Sequence, residues 1–292
     1  IDIEVEDSAQ ADASFASKPA VLLIMGLGMQ LIAWPPEMVR ALEEAGYRVV
    51  RFDNRDVGLS SYLDALGKPN LLWASVKYKL GLVPVAPYTL SDMAADAVGV
   101  LDALAIPEAH VVGVSMGGMI AQRVALAAPA RTLSLTSIMS TSGARNLPPP
   151  TPKVLRMLLS RPTGSSTAAV VEHMVRLFKA IGSPAYPTPE ADMRVRVTAG
   201  VQRALHPVGT LRQMLAVVAD ITRAALLHRI AVPTLVIHGK ADPLVPLACG
   251  EDTARRIPGA KLVVIDGMGH DLPPEPVRQI LAALIPHLQT TH

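Results

Sequence analysis

Ser115, Asp242 and His270 are the residues whose types and settings could do nucleophilic chemistry. Ser115 is the centre of Gly113-Val114-Ser115-Met116-Gly117. An apolar run, Val111–Val114, precedes it, and a small-residue helical run, Gly118–Ala128, follows. Strand, sharp turn and helix in that order are what a G-x-S-x-G nucleophile elbow requires. The turn strains the backbone at the serine, so Gly113 and Gly117 must be small, and Gly118 lets the helix pack close to the sheet. The serine Oγ would then stand at a helix N-terminus, where partial positive charge favours a developing anion. A hydroxyl is a poor nucleophile at neutral pH and needs a base, which an acid must orient. Asp242, in HGKADPLVP, lies just past the apolar run Thr234–His238, and His270, in DGMGHDLP, just past Lys261–Ile265. Both fall on loops at the carboxyl ends of strands, the edge that carries Ser115.

The remaining candidates are weaker. His238 and His110 fall in strand patterns, His173, His206 and His228 in a helical segment, and His287 and His292 at the tail; each is read as a packed or surface residue. Asp266 is the second choice for the acid; it and Asp271 stand too close to His270 in sequence to reach its ring as readily as a residue from a neighbouring loop. An oxyanion needs backbone donors. The N–H of Met116 follows the serine, and the loop Gly26-Leu27-Gly28-Met29 after the run Ala20–Met25 offers the N–H of Leu27. The same loop begins like a dinucleotide fingerprint, but the third glycine is absent and Trp34-Pro35-Pro36 follow, so that reading is rejected. Met29, Trp34, Met139 and Met268 lie near strand ends or in motif loops, and methionine adapts to irregular apolar shapes. They are the expected substrate-binding set. No H-x-x-x-H or C-x-x-C spacing is present, so neither a metal nor another cofactor is expected.

The elements that must position these residues follow a regular rhythm. Ile1–Glu6 alternates apolar and acidic residues like an edge strand. Ala20–Met25, Arg48–Asp53, His110–Val114, Leu133–Met139, Thr234–His238 and Lys261–Ile265 predict further strands. Helices are expected over Glu37–Ala45, over Ser91–Leu104 with Ser91 as cap, after Ser115, near Cys249–Ile257 and over Val277–Leu288. Short apolar strands alternating with helices imply an α/β fold with a mostly parallel sheet covered on both faces. Two segments interrupt it. Tyr62–Pro87 is a long connection whose apolar part, Leu71–Val85, reads as a lid edge or a homodimer contact. Gly143–Arg229 carries helical patterns near Pro152–Leu159, Ala168–Ile181, Pro189–Arg203 and Gly209–Ala219. The expected organisation is a core of residues 1–142 and 230–292 with a helical cap, 143–229, inserted where it could lid a site at the sheet edge.

Composition narrows the function. Half of the 292 residues are hydrophobic, enough for a large core, and the net charge is only +2. No basic block points to nucleic acid. No apolar run approaches the roughly 18 residues that cross a bilayer. One cysteine, Cys249, leaves no intrachain disulfide. The cytoplasm is the expected location; because the sequence starts at Ile1 rather than Met, export stays open.

The order serine, aspartate, histidine is that of the α/β-hydrolase triad, and the chain resembles that superfamily, nearest to bacterial esterases of the aclacinomycin methylesterase group. The matching stretches are PAVLLIMGLGMQLIAWP, GYRVVRFDNRDVGLSS, MAADAVGVLDALAIPEAHVVGVSMGGMIAQ, VPTLVIHGKADPLVP and IDGMGHDLP; the insertion matches only loosely. The resemblance implies Ser115 as nucleophile, Asp242 and His270 as its partners, and Leu27 and Met116 as oxyanion donors. It makes Asp53, Arg55 and Asp56 scaffold beside the site. Many relatives carry His-Gly where this chain has Met25-Gly26, which alters the support of the Leu27 N–H. The expected activity is cofactor-independent hydrolysis of small-molecule carboxylic esters. The rivals are perhydrolysis or C–C hydrolysis by the same triad, and a non-catalytic receptor on the same scaffold.

Overall fold

The computed structural model describes residues 1–70, 73, 76, 77 and 82–290. Most of the apolar part of the connection Leu71–Val85, read above as a lid edge or dimer contact, lies outside the described residues. The first half of the chain builds β1 (Val5–Asp7), β2 (Ala20–Ile24), α1 (Pro36–Glu44), β3 (Arg48–Phe52), α2 (Leu90–Ala103), β4 (Ala109–Val114), α3 (Met116–Ala127) and β5 (Thr132–Ile138). Among the described residues four helices of eight or more residues follow without a strand: α4 (Pro152–Leu159), α5 (Thr167–Ile181), α6 (Glu190–Arg203) and α7 (Pro207–Ala219). The sheet resumes with β6 (Thr234–Gly239), α8 (Leu247–Arg256), β7 (Lys261–Ile265) and α9 (Pro274–Gln289).

Among the described residues the strands form one sheet in the order β1-β3-β2-β4-β5-β6-β7. Only β1 runs antiparallel, on β3 at the edge. β2 and β4 are buried along their whole length, as central strands covered on both faces must be. One apolar cluster packs α2 and α3 on one face, through Leu90, Met93, Leu101, Ile120 and Val124. Another packs α1 and α9 on the other face, through Met38, Leu42, Ile280 and Leu284. The inserted helices add a cluster of their own, with Val171 and Val175 of α5 against Met193, Val197 and Val201 of α6.

The α2 cap differs from expectation. Thr89, not Ser91, stands at the N-cap, and its hydroxyl and the Asp92 carboxylate form a reciprocal capping box. A threonine followed by an acidic residue three positions later satisfies two orphan N–H groups, which Ser91 does not.

The register carries the functional consequence. Ile24 stands beside Gly113, Val114 beside Ile138, Ile138 beside Ile237 and Gly239 beside Ile265. Parallel strands in this alignment end together, so the loops after β2, β4, β6 and β7 emerge on one edge.

Candidate active site

The elbow after β4 is built from close backbone approaches. Ser115 has φ 55° and ψ −122°, outside the regions an L-residue ordinarily occupies. Its N–H donates to the Ile138 carbonyl at 2.9 Å, and its own carbonyl accepts from the Ser140 hydroxyl at 2.6 Å. A Cβ on Gly113 would lie 2.1 Å from the Gly117 oxygen, and one on Gly117 would lie 2.0 Å from the Ile24 oxygen. Both positions therefore exclude a side chain, which is why the motif has glycine there. Ser140 is a residue of this elbow that the sequence alone does not flag; the small polar run Ser140–Ser142 is its only signal.

The loops after β6 and β7 bring the acid and the imidazole to this serine. His270 Nδ1–H donates to Asp242 Oδ2 at 2.7 Å. Ser115 Oγ lies 3.0 Å from His270 Nε2. With Nδ1 protonated by its bond to a carboxylate, Nε2 is left as the acceptor for the serine hydroxyl. The other carboxylate oxygen, Asp242 Oδ1, accepts from the N–H groups of Leu244 at 2.9 Å and Val245 at 2.8 Å. The Asp242 side chain is sealed from solvent and that of His270 nearly so, at 7% exposure. Such a relay can take a proton from Oγ as a bond forms to carbon and hold the resulting imidazolium against a buried anion.

His238 lies under the acid loop. Its Nε2–H donates to the Val245 carbonyl at 2.7 Å, and its Nδ1 packs against Gly250. Burial holds its pKa below the usual histidine value, opposed by that hydrogen bond and by Asp242. A neutral imidazole thus props the turn that presents Asp242. Asp266 is exposed and pairs with Lys240 at 3.0 Å. Asp271 turns from the His270 ring to the inserted segment, where its Oδ1 accepts from the Ser183 N–H at 3.0 Å.

The loop after β2 closes against Ser115. Met29 N–H donates to the Gly26 carbonyl at 3.2 Å, and Gly28, third in this turn, has φ 66°, the conformation a type II turn demands. A Cβ on Gly26 would lie 3.2 Å from Ser115 Cβ and 3.7 Å from its Oγ, so the turn abuts the serine. Among the described residues no acceptor takes the N–H of Leu27 or of Met116. Two free donors on the two loops flanking a nucleophile can stabilise an oxyanion. Asp53 pins this loop from below. Its Oδ1 accepts from Leu31 N–H at 2.6 Å and its Oδ2 from Leu59 N–H at 2.9 Å. Arg55 pairs with Asp96, and Asp56 with Arg212 of α7.

Trp34, Met139 and Met268 are buried in the apolar cluster beneath the sheet edge, with Met29 packed against it. Met139, directly after β5, has φ 42° and donates its N–H to the Ile237 carbonyl at 2.8 Å. Cys249 is buried, with its thiol pKa pushed up to about 11 by burial, which leaves it unreactive at neutral pH. Among the described residues no group of three or more His, Cys, Asp or Glu side chains is placed to hold a metal ion. No described helix is long and apolar enough to cross a membrane.

Known proteins carry the same architecture. Rhodomycin D methylesterase DauP from Streptomyces sp. (strain C5) is 31% identical over 286 residues, covering 91% of this chain and 90% of that protein. Rhodomycin D methylesterase DnrP from Streptomyces peucetius is 30% identical with the same coverage. A meta-cleavage product hydrolase from Pseudomonas fluorescens IP01 superposes with a TM-score of 0.75 at 19% identity, over 99% of this chain and 95% of that one. Residues 19–276 match the family defined by the alpha/beta hydrolase fold. The chain belongs to the α/β-hydrolase family.

Proposed function

We propose that this protein is a serine carboxylesterase, with Ser115 as nucleophile, His270 as general base and acid, and Asp242 as the residue that orients the imidazole and stabilises the imidazolium formed during the reaction. The observation that carries the reading is the continuous relay from Asp242 through His270 to Ser115, with hydrogen bonds of 2.7 and 3.0 Å. Ser115 Oγ attacks the ester carbonyl carbon while its proton passes to His270 Nε2. The carbonyl oxygen becomes an anion held by the N–H groups of Met116 and Leu27. The tetrahedral adduct collapses, the alcohol leaves with the proton from His270, and an acyl group remains on Ser115. Water, deprotonated by the same imidazole, then releases the acid. Esters are favoured as substrates by the similarity to two methylesterases, which also makes methyl esters of bulky acids the first compounds to try. The helices from residue 143 to 229 act as a cap over the site.

Ser115→Ala tests the reading. Hydrolysis of p-nitrophenyl acetate and of a bulky methyl ester should fall by about 10⁴-fold or more, and labelling by a fluorophosphonate should vanish, with the thermal transition preserved. A folded variant that still turns over these esters refutes it. Wild-type protein that takes no fluorophosphonate would instead favour a non-catalytic receptor.

A further inference from the structure

The backbone around His270 is held by the inserted helical segment as much as by the sheet. The turn after α5 runs beside the loop Gly267–Asp271. His270 N–H donates to the Ile181 carbonyl at 2.7 Å, and Ala185 N–H donates to the Gly267 carbonyl at 3.3 Å. Between them stands Ser183, whose residue is 3% exposed. Its Oγ accepts from Gly269 N–H at 2.9 Å. Its hydroxyl donates to Asp271 Oδ1 at 2.5 Å, and its N–H donates to the same oxygen at 3.0 Å. Ser183 thus grips both residues that flank the histidine. The approach is too close for a side chain on Gly269, where a Cβ would lie 2.4 Å from the Gly182 oxygen. From the opposite side, Ala241 N–H donates to the Met268 carbonyl at 3.0 Å. The imidazole-bearing backbone is therefore clamped between the acid loop and the insertion.

We propose that Ser183 is a positioning residue for His270, fixing the imidazole between Asp242 and Ser115 by holding Gly269 and Asp271. This rests on the reading of His270 as the base. Ring placement depends on the backbone torsions of a single loop residue, and an error of about 1 Å at a reacting group can cost on the order of 100-fold in rate. Without the Ser183 hydroxyl, the Gly269 N–H is a buried donor with no acceptor, and the Asp271 carboxyl loses a partner. Relaxation of either moves the residue between them. Burial already pushes the Asp271 pKa up, with the two Ser183 hydrogen bonds opposing it, so this carboxyl has reason to shift once the hydroxyl is gone.

The experiment is steady-state kinetics on p-nitrophenyl acetate for Ser183→Ala and Asp271→Asn, with active sites counted by fluorophosphonate titration. Ser183→Ala should lower kcat by about 10- to 100-fold per titrated site, with KM changed less than about threefold. The downfield proton resonance of His270 Nδ1–H should shift or broaden. Asp271→Asn keeps the accepting Oδ1 and should stay within about threefold of wild type. An unchanged kcat per site in Ser183→Ala, with only a lower melting temperature, overturns the proposal and leaves the catalytic reading intact. An equal loss in Asp271→Asn also overturns it, because charge rather than the hydrogen bonds would then matter. If Ser183→Ala does not fold, Asp271→Ala removes two of the same bonds and must show the same fall in kcat. Full activity in His270→Ala would instead remove the reading on which the proposal stands.

Discussion

The N–H of Gly28 donates to the side-chain oxygen of Gln213 at 2.9 Å, across 185 residues of sequence. Gln213 is fully buried on α7, and its amide nitrogen donates in turn to the Arg55 carbonyl at 2.8 Å. One glutamine from the insertion therefore braces both the turn that carries Leu27 and the scaffold loop beneath it. Gln213→Leu leaves the Gly28 N–H and the Arg55 carbonyl without partners, at about 1–3 kcal/mol each. The free turn should place the Leu27 N–H less well. We expect kcat for a short ester to drop by roughly 10- to 100-fold with little change in KM, and the urea midpoint to fall. Loss of stability alone, with kcat retained, would separate the glutamine from the oxyanion.

Asp242→Asn discriminates orientation from burial. The asparagine oxygen can still accept from Leu244 and Val245. Its NH₂ then faces His270 Nδ1, which must become an acceptor, so the ring proton moves to Nε2 and points at Ser115. A base already protonated on the serine side cannot take the hydroxyl proton. Turnover should fall by about 10⁴-fold near neutral pH, with the melting temperature within a few degrees of wild type. A loss below about tenfold in folded protein would mean that Asp242 does not set the tautomer.

What could be read from the chain beforehand divides along physical lines. β2 and β4 are legible because strands buried on both faces are continuously apolar, and the elbow because steric contact at Gly113 and Gly117 leaves only one residue type. The placement of Asp242 and His270 on loops at strand ends is legible because each follows a strong strand pattern. Ser140, Ser183 and Gln213 are not. A serine or glutamine has no periodicity, and each acts on residues brought to it only by the fold. The α2 boundary shows the same limit in miniature: Ser91 and Thr89 are both plausible caps by type, and the Asp92 carboxylate decides between them. The nearness of Trp34, Met139 and Met268 to the loops is legible from the sequence, whereas their burial in the cluster with α1 and α9 depends on which face of the sheet each side chain takes.

Arg212 ties the insertion to the core. Its Nε and Nη2 donate to the two oxygens of Asp56 at 2.8 and 2.7 Å, and both side chains are fully sealed. A further donor reaches the Gly67 carbonyl at 2.8 Å. Burial alone would raise the Asp56 pKa, but the guanidinium and the Leu63 N–H bring it below the ordinary value. Arg212→Met leaves that carboxylate buried without its counter-charge, which costs about 3–5 kcal/mol. Arg212→Met with Asp56→Asn removes the orphaned charge and should recover part of the loss. A double variant no more stable than Arg212→Met would mean that an orphaned Asp56 charge does not account for the loss.

The pH dependence of stability has a sign set by His238. Its folded pKa lies below the unfolded value of about 6.5. Between those two values the unfolded chain binds the proton and the native chain does not, so stability is full above pH 6.5 and declines as pH falls through it. The charges acting on the ring do not reverse this: Asp242 and Glu251 raise its pKa, His270 lowers it further, and burial outweighs them. Asp271 has the opposite slope, since its raised pKa lets the native state hold a proton that the unfolded state has released. Comparing wild type with His238→Gln isolates this ring together with its coupling to Asp242, Glu251 and His270. Glutamine keeps an amide donor for the Val245 carbonyl and does not titrate. The stability advantage of wild type over this variant should shrink as the pH is lowered from 7.5 to 5.5, measured by urea denaturation. A pH-independent difference would mean that His238 binds protons equally in both states, and the neutral imidazole beneath the acid loop would have to be abandoned.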